Sequence, residues 1–229
     1  MNLHALLDFG PLQQEFGTVM KSFWGTIRLA LLSGIGALIL GTVLAAMRVS
    51  PTPVLRGAGA LYIYVLRNTP LTLILLFCSL GLSDTLHLQI SHDPSTNGFW
   101  LATIGLTAYT ASFVCESLRA GINTVPLGQA EAARSIGLTF TQSLRLVVLP
   151  QAFRTVIAPL GSVFIAMIKN TTVALAAGYF EASAQMKQMF DTYGGTIPIF
   201  LGFAIGFMVL TLPTGFFFSW LSKRLAVAR

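Results

Sequence analysis

Five stretches of this chain, at about residues 22–47, 55–83, 98–120, 151–178 and 197–222, are each long and apolar enough to cross a bilayer. About 20 apolar residues in a helix cover the roughly 30 Å of hydrocarbon. Inside lipid each segment must satisfy its own backbone, so a helix is the only open solution for such runs. The expected fold is therefore an all-α integral membrane protein, one transmembrane domain over residues 1–229 with five spanning helices. With 54% hydrophobic and 10% charged residues and a mean hydropathy of +0.74, the chain is not an ordinary soluble domain. The first apolar run, Ser22 to Met47, is too long for the core of a cleavable signal peptide and is expected to remain as a helix. Cys78 and Cys115 both fall in apolar segments and read as small buried hydrophobes rather than as a disulfide or metal site.

Lysines and arginines assign the sides. With the N-terminus outside, Arg48, Arg56, Arg119, Arg134, Arg145, Arg154, Lys223, Arg224 and Arg229 fall inside, and only Lys21 and Lys187 fall outside. The 84–97 connection has no lysine or arginine and carries Asp84 and Asp93, as an outer loop should. This bias accounts for the net charge of +6 without nucleic acid. It places the C-terminus and the 126–150 connection in the cytoplasm. The lead from Met1 to Lys21, with Asp8 and Glu15, reads as an amphipathic or irregular segment on the outer surface.

The 126–150 connection has its own pattern. Glu131, Ala132, Ala133 and Arg134 open an alanine-rich helix that Gly137 breaks; Phe140, Leu144, Val147 and Val148 then form a second amphipathic run that Leu149 and Pro150 close, where the next span begins. That is a helix, a turn and a helix: a connecting hairpin or a docking element for a soluble partner.

Polar residues inside the spans mark the other points of interest. Arg67, Asn68, Thr69 and Pro70 interrupt span two. Pro70 has no N–H for the carbonyl of Leu66, so the helix is expected to kink or open there. An arginine at that depth costs roughly 2.5–3.5 kcal/mol unless it faces a partner or a wet cavity. It is expected to point inward, either beside a transport pathway or in an ion pair holding the bundle, with Glu116 as the candidate partner. Glu116 is also three residues from Arg119 and can pair with it on one helix face. Lys169, Asn170, Thr171 and Thr172 form a polar run in span four, which lies either in the pathway or at the end of the span with the lysine reaching the outer interface; Pro159 makes a kink expected below them. Arg28 reads as an outward-reaching structural residue. Ala37 with Gly41, and Gly202 with Gly206, have spacing that lets helices approach closely. The outer connection from Tyr179 to Thr196 has the pattern of a short interfacial helix before Gly194 and Gly195.

Catalytic chemistry is not supported. None of the four lysines sits in a phosphate-binding Gly-Lys-Ser/Thr loop, and His4, His87 and His92 form no metal-spaced cluster. A secondary carrier would ordinarily show internal repeats, which are not evident, and a mere scaffold leaves the mid-span Arg67 to Pro70 unexplained.

These strings follow one another as in the permease subunits of polar amino acid ABC importers: Tyr64 to Leu71; Glu116, Arg119, Gly121 and Ile122; Pro126, Gly128 and Gln129, then Glu131 to Arg134, Gly137 and Leu138; Val148 to Ala152; and Lys169 to Thr172. The likeness covers about residues 22–222 and is greatest to glutamate importer permeases. Val147 stands where the family usually has isoleucine. The resemblance implies a type I ABC importer fold in a bacterial cell membrane. It implies a second permease subunit, homologous or identical, two cytoplasmic ATPase subunits holding ATP and Mg, and an external solute-binding protein. No cofactor is implied in this chain. It further implies that Glu131, Ala132, Ala133, Arg134, Gly137, Leu149 and Pro150 couple to the ATPase, with both alanines packed against it. Arg67, Asn68, Thr69, Pro70, Glu116, Lys169, Asn170, Thr171 and Thr172 are then expected along the substrate pathway, with Arg67 and Lys169 meeting acidic groups of the substrate and Asn170 and Thr172 reading its polar ones. Glutamate is the expected cargo, with aspartate and glutamine as alternatives.

Overall fold

The computed structural model describes residues 9–194 and 197–225. His4, Asp8, Gly195, Thr196 and Arg229 lie outside the described residues. Every regular element among the described residues is helical. A short α1 (Gly10–Gln14) precedes α2 (Phe16–Val49), followed by α3 (Pro53–Asn68) and α4 (Leu71–Leu76), which continues as a π-helix over Phe77–Thr85. Then come α5 (Pro94–Asn123), α6 (Leu127–Ser135), α7 (Phe140–Ser143) with a π-turn over Leu144–Val148, and α8 (Leu149–Asn170) with a 3₁₀ extension over Thr171–Ala177. α9 (Ala182–Tyr193) and α10 (Ile197–Leu225) complete the chain. Four continuous helices have spanning length and apolarity: Phe16–Val49, Pro94–Asn123, Phe140–Ala177 and Ile197–Leu225. α3 and the segment Leu71–Thr85 form a further apolar pair, bent by 104° at the break between them, which together are long enough for a fifth span.

The break in span two is deeper than a kink, and local chemistry explains it. Thr69, preceding proline, is extended (φ −99°, ψ 129°), because a following proline disfavours the helical region. The side chains beside the gap occupy carbonyls of the last turn: Asn68 Nδ2 donates to Tyr64 O at 2.7 Å, and Thr69 Oγ1 donates to Val65 O at 2.8 Å. Pro70 O then receives the N–H groups of Leu73 and Ile74, and a new helix starts in a new direction.

Three boundaries differ from the sequence expectation. The first membrane helix begins at Phe16, so much of the expected outer lead is already helix. Span three starts at Pro94, where Asp93 caps the helix by accepting from Thr96 N at 2.8 Å; hydrogen bonding from the Thr96 side chain first, and from its N–H second, holds the Asp93 carboxyl below its ordinary range. The second arm of the 126–150 loop does not stop at Pro150. It runs unbroken into span four, because the π-turn before it bonds Leu149 N to Leu144 O and widens the ladder where the proline lacks a donor. Pro159 likewise lies within continuous α8.

α5 is the packing centre. Its buried Leu101, Ala102 and Leu106 meet Leu29 and Leu75, while Ala111, Val114 and Cys115 meet Ala37, Leu44 and Val156. Gly41 and Gly121 mark the closest crossings: a Cβ on Gly41 would lie 2.6 Å from Val114 Cγ1, and one on Gly121 2.0 Å from Val156 Cγ1. Gly202 and Gly206 face Leu12 and Phe23 of the same chain, so this small-residue pattern serves internal packing.

At the end opposite the loop, α9 is fastened by Glu181. Its fully buried carboxyl accepts from Thr26 Oγ1 on α2 at 3.0 Å and from the N–H groups of Ser183 (2.9 Å) and Ala184 (3.3 Å). The Ser183 hydroxyl lies between that carboxyl and Thr172 O, to which it donates at 2.7 Å. Burial pushes the Glu181 carboxyl above its ordinary 4.5, outweighing the opposing hydrogen bonds from Ser183, Thr26 and Ala184. A carboxyl raised on folding contributes stability that is complete below its unfolded value and is lost as pH rises through its folded value. Thermal unfolding from pH 4.5 upward is therefore expected to show a downward slope from this group, and Glu181→Gln should flatten it. An identical slope in the variant removes Glu181 as the cause.

Candidate transport pathway and coupling loop

Glu116, on the seventh turn of α5, gathers three guanidinium groups. Its carboxylate is 3.8 Å from Arg48 on α2, 3.6 Å from Arg67 on α3 and 3.5 Å from Arg119 one turn further along α5. Both pairings weighed from the sequence are thus present, together with Arg48, which sequence reasoning had counted only as an inner anchor. The geometry is loose: charge-assisted hydrogen bonds close at about 2.7–2.9 Å, and the buried Arg119 Nε has no hydrogen-bond partner. Arg67 also stacks on Phe113, with Cζ 5.3 Å from the ring centroid. Arg48, Arg67, Phe113 and Glu116 line an open cavity of about 760 Å³ with Tyr64 and Asn68, and Arg119 stands behind Glu116 outside its lining. Thr69 and Pro70 shape this wall through the break, without lining the cavity themselves.

A second cavity, of about 410 Å³, lies between α5 and α8, bordered by Tyr109, Thr110, Phe113, Ser162 and Asn170. The hydroxyl of Thr110 is buried there without a partner. Phe113 borders both cavities, and Tyr109, Phe113 and Glu116 at i, i+4 and i+7 share one helix face. That spacing is the signal by which the sequence could have supplied Tyr109 and Phe113.

The polar run of span four divides. Asn170 borders the second cavity, but Lys169 borders neither and is exposed, with no ion pair among the described residues. Thr171 is buried and donates to Ile168 O at 2.7 Å; Thr172 donates to Lys169 O at 2.7 Å. Both hydroxyls are engaged in their own helix, and Arg67 and Lys169 do not share a cavity.

The loop at the other end is built from two capping motifs. α6 ends in a left-handed turn at Gly137 (φ +88°), where Gly137 N donates to Arg134 O and Leu138 N to Ala133 O. Thr139 then caps α7: Gln142 N donates to Thr139 Oγ1 at 3.3 Å, and Thr139 N to Gln142 Oε1 at 2.9 Å. The Thr139 to Gln142 spacing is the signal in the sequence for this cap. Ala133 is buried, unlike its neighbour Ala132. Glu131, Ala132, Arg134 and Gly137 are exposed, as are Leu149 and Pro150. Leu127 and Ile136 are 81% and 79% exposed, which is unusual for large apolar side chains on a polar loop and fits a contact surface.

Among the described residues, four continuous apolar helices and one apolar pair broken around polar residues, with a capped helical hairpin at one end, make up the type I ABC importer permease fold. Residues 37–227 match the binding-protein-dependent transport system inner membrane component family, and the chain belongs to it. It is 48% identical over 228 residues to a protein of Corynebacterium efficiens described as the glutamate transport system permease GluC, covering 97% of each chain. It is 32% identical over 225 residues to the probable glutamine ABC transporter permease GlnM of Bacillus subtilis, covering 98% of each. The fold superposes on a chain from a crystal structure described as an amino acid ABC transporter with histidines, with a TM-score of 0.81, 27% identity, and coverage of 95% of this chain and 99% of that one. The protein is thus a permease subunit of the inner membrane, the non-catalytic membrane component of its transporter.

Proposed function

We propose that this chain carries glutamate through the membrane as one subunit of an ATP-driven importer, receiving it from an external binding protein. The observation carrying this reading is the 48% identity to a glutamate permease over nearly the full length of both chains. The basic cavity beside the broken span supports it, since an acidic amino acid needs compensating charge there. The lysine and arginine distribution supports an N-terminus outside and a hairpin and C-terminus in the cytoplasm. A second permease chain and two ATPase subunits holding ATP and Mg complete the assembly. The exposed Glu131, Ala132, Arg134, Leu149 and Pro150, with the turn at Gly137, form the surface that meets the ATPase. Closure of the ATPase pair draws the hairpins together and, because the second arm is continuous with span four, moves that helix directly. Substrate passes along the walls at Arg67, Asn68 and Glu116 and at Asn170, with Thr69 and Pro70 holding the break and Lys169, Thr171 and Thr172 at the outer end of span four. Glutamine is the second reading, favoured by the similarity to the Bacillus subtilis protein.

Proteoliposomes holding the complete complex test this. Labelled glutamate is expected to accumulate only with ATP on the ATPase side and binding protein on the other, and excess glutamine should not displace it. Accumulation on an ion gradient without ATP, or preferred uptake of glutamine, overturns the respective part.

A further inference from the structure

Glu116 is the one acidic residue within the expected spans; the other acids lie at the outer end, in the outer connections or on the loop. It is surrounded by Arg48, Arg67 and Arg119, so three guanidinium charges face one carboxylate and two remain in excess. A cluster built only to hold the bundle would close this imbalance with a second acid, or tighten the single carboxylate into a bidentate fork. Neither is seen: all three separations are 3.5–3.8 Å, and the buried Arg119 Nε is without a hydrogen bond. The cluster is also not sealed. Arg67 has 44% of its side chain exposed and, with Arg48 and Glu116, lines the cavity of about 760 Å³, a size suited to a small ligand. One side of that cavity is aromatic, from Tyr64 and Phe113, which would accept a short aliphatic chain.

We propose that this cavity is an anion site in which Glu116 is a tethered, displaceable counter-ion: its carboxylate occupies the guanidinium groups when the site is empty and yields them to the side-chain carboxylate of an acidic amino acid. This rests on the glutamate reading above and adds a residue role to it. The excess of positive charge draws the anionic substrate in, and Glu116 competes for the same donors and so keeps the substrate from being held too long. A site of arginines alone would bind a dicarboxylate tightly and release it slowly. A tethered competitor is always at hand, so release needs no outside ion. The uncharged amide of glutamine cannot displace Glu116 in this way, so the device favours acidic over amide side chains.

The test uses the intact complex, with its ATPase and second permease chain, in nanodiscs of phosphatidylcholine, and measures equilibrium binding of labelled glutamate and glutamine. Linked binding events in a protein typically change one another's affinity by about 5–150-fold, and a tethered carboxylate opposing the substrate is placed in that range. Glu116→Gln is accordingly expected to bind glutamate about tenfold more tightly, to leave glutamine binding unchanged, and to slow glutamate turnover in uptake. Adding Arg67→Gln should abolish the gain. Glutamate binding that is unchanged or weaker in a folded Glu116→Gln complex, or an equal gain for glutamine, overturns the proposal. So does a gain that vanishes when phosphatidylglycerol replaces part of the lipid, which would identify a lipid phosphate as the anion. If Glu116→Gln does not fold, Arg48→Gln with Glu116 retained serves instead: selectively weaker glutamate binding supports the site, and unaltered binding refutes it. A wild-type complex that imports no glutamate refutes the function itself. Wild-type import with unmoved variants refutes only the counter-ion.

Discussion

Replacing Gly137 by valine is expected to lower ATP-driven uptake by about 5–30-fold while leaving capture of substrate by the external binding protein intact. Gly137 adopts φ +88°, and nothing lies within 4 Å of where a Cβ would stand. A side chain there therefore starts in open space, away from the rest of the described fold. The effect of the substitution is conformational: an L-residue in the left-handed region costs about 1–2 kcal/mol, and more when β-branched. That cost falls on the turn that sets the angle between the two arms of the hairpin, and 1–2 kcal/mol lowers the population of the docking-competent arrangement about 5–30-fold. Asparagine tolerates this region, so Gly137→Asn should restore most of the uptake. Equal uptake by the wild-type and valine proteins would remove the hairpin geometry from the coupling step. Equal loss with asparagine and valine would mean that glycine is needed for close approach of the partner, not for its backbone freedom.

Gly121→Ala is expected to cost about 1–3 kcal/mol of stability, the usual range for overpacking a close-packed site. The added methyl would stand 2.0 Å from Val156 Cγ1 and 3.1 Å from the carbonyl oxygen of Ala152, where α5 crosses α8. Val156 is buried and β-branched, with little freedom to turn its methyls away, and the carbonyl belongs to a helix that cannot yield locally. The two helices must separate instead. Leucine at position 121 should therefore abolish folded protein in detergent extracts. The contact predicts a specific rescue: Val156→Ala removes the atom in conflict, so the double variant should recover at least half of the lost unfolding temperature. Purely additive losses would show that the two positions are uncoupled and that the crossing is not where the damage arises.

How much of this was legible beforehand can be judged residue by residue. The break at Pro70 was readable because a missing N–H is a property of one residue, and the structure extends it from a kink to a bend of 104° by recruiting Asn68 and Thr69 to the open carbonyls. The turn at Gly137 was readable for the same reason. The continuity through Pro150 was not, because it depends on the widened helical turn just before it, and no residue in Leu144 to Val148 announces a π-turn. Ala133 is buried and Ala132 exposed, and which face of α6 turns inward is decided by the packed hairpin, not by the run Glu131 to Arg134 itself. Arg67 borders the larger cavity and Lys169 neither of the two, a separation that linear position does not carry.

Sequence alone determined the all-helical membrane class, the helical hairpin, the exclusion of a phosphate-binding loop and the break in span two. Each of these follows from a local run of residues and from the demand that a backbone in lipid satisfy itself. Tertiary structure decided that one carboxylate from α5 faces guanidinium groups from α2, α3 and its own helix, that Thr110 and Asn170 border a separate cavity, and that Glu181 ties α9 to α2. These depend on how helices distant in the chain rotate and cross. That is set by where glycines such as Gly41 and Gly121 let their axes come together, and no single segment carries the information.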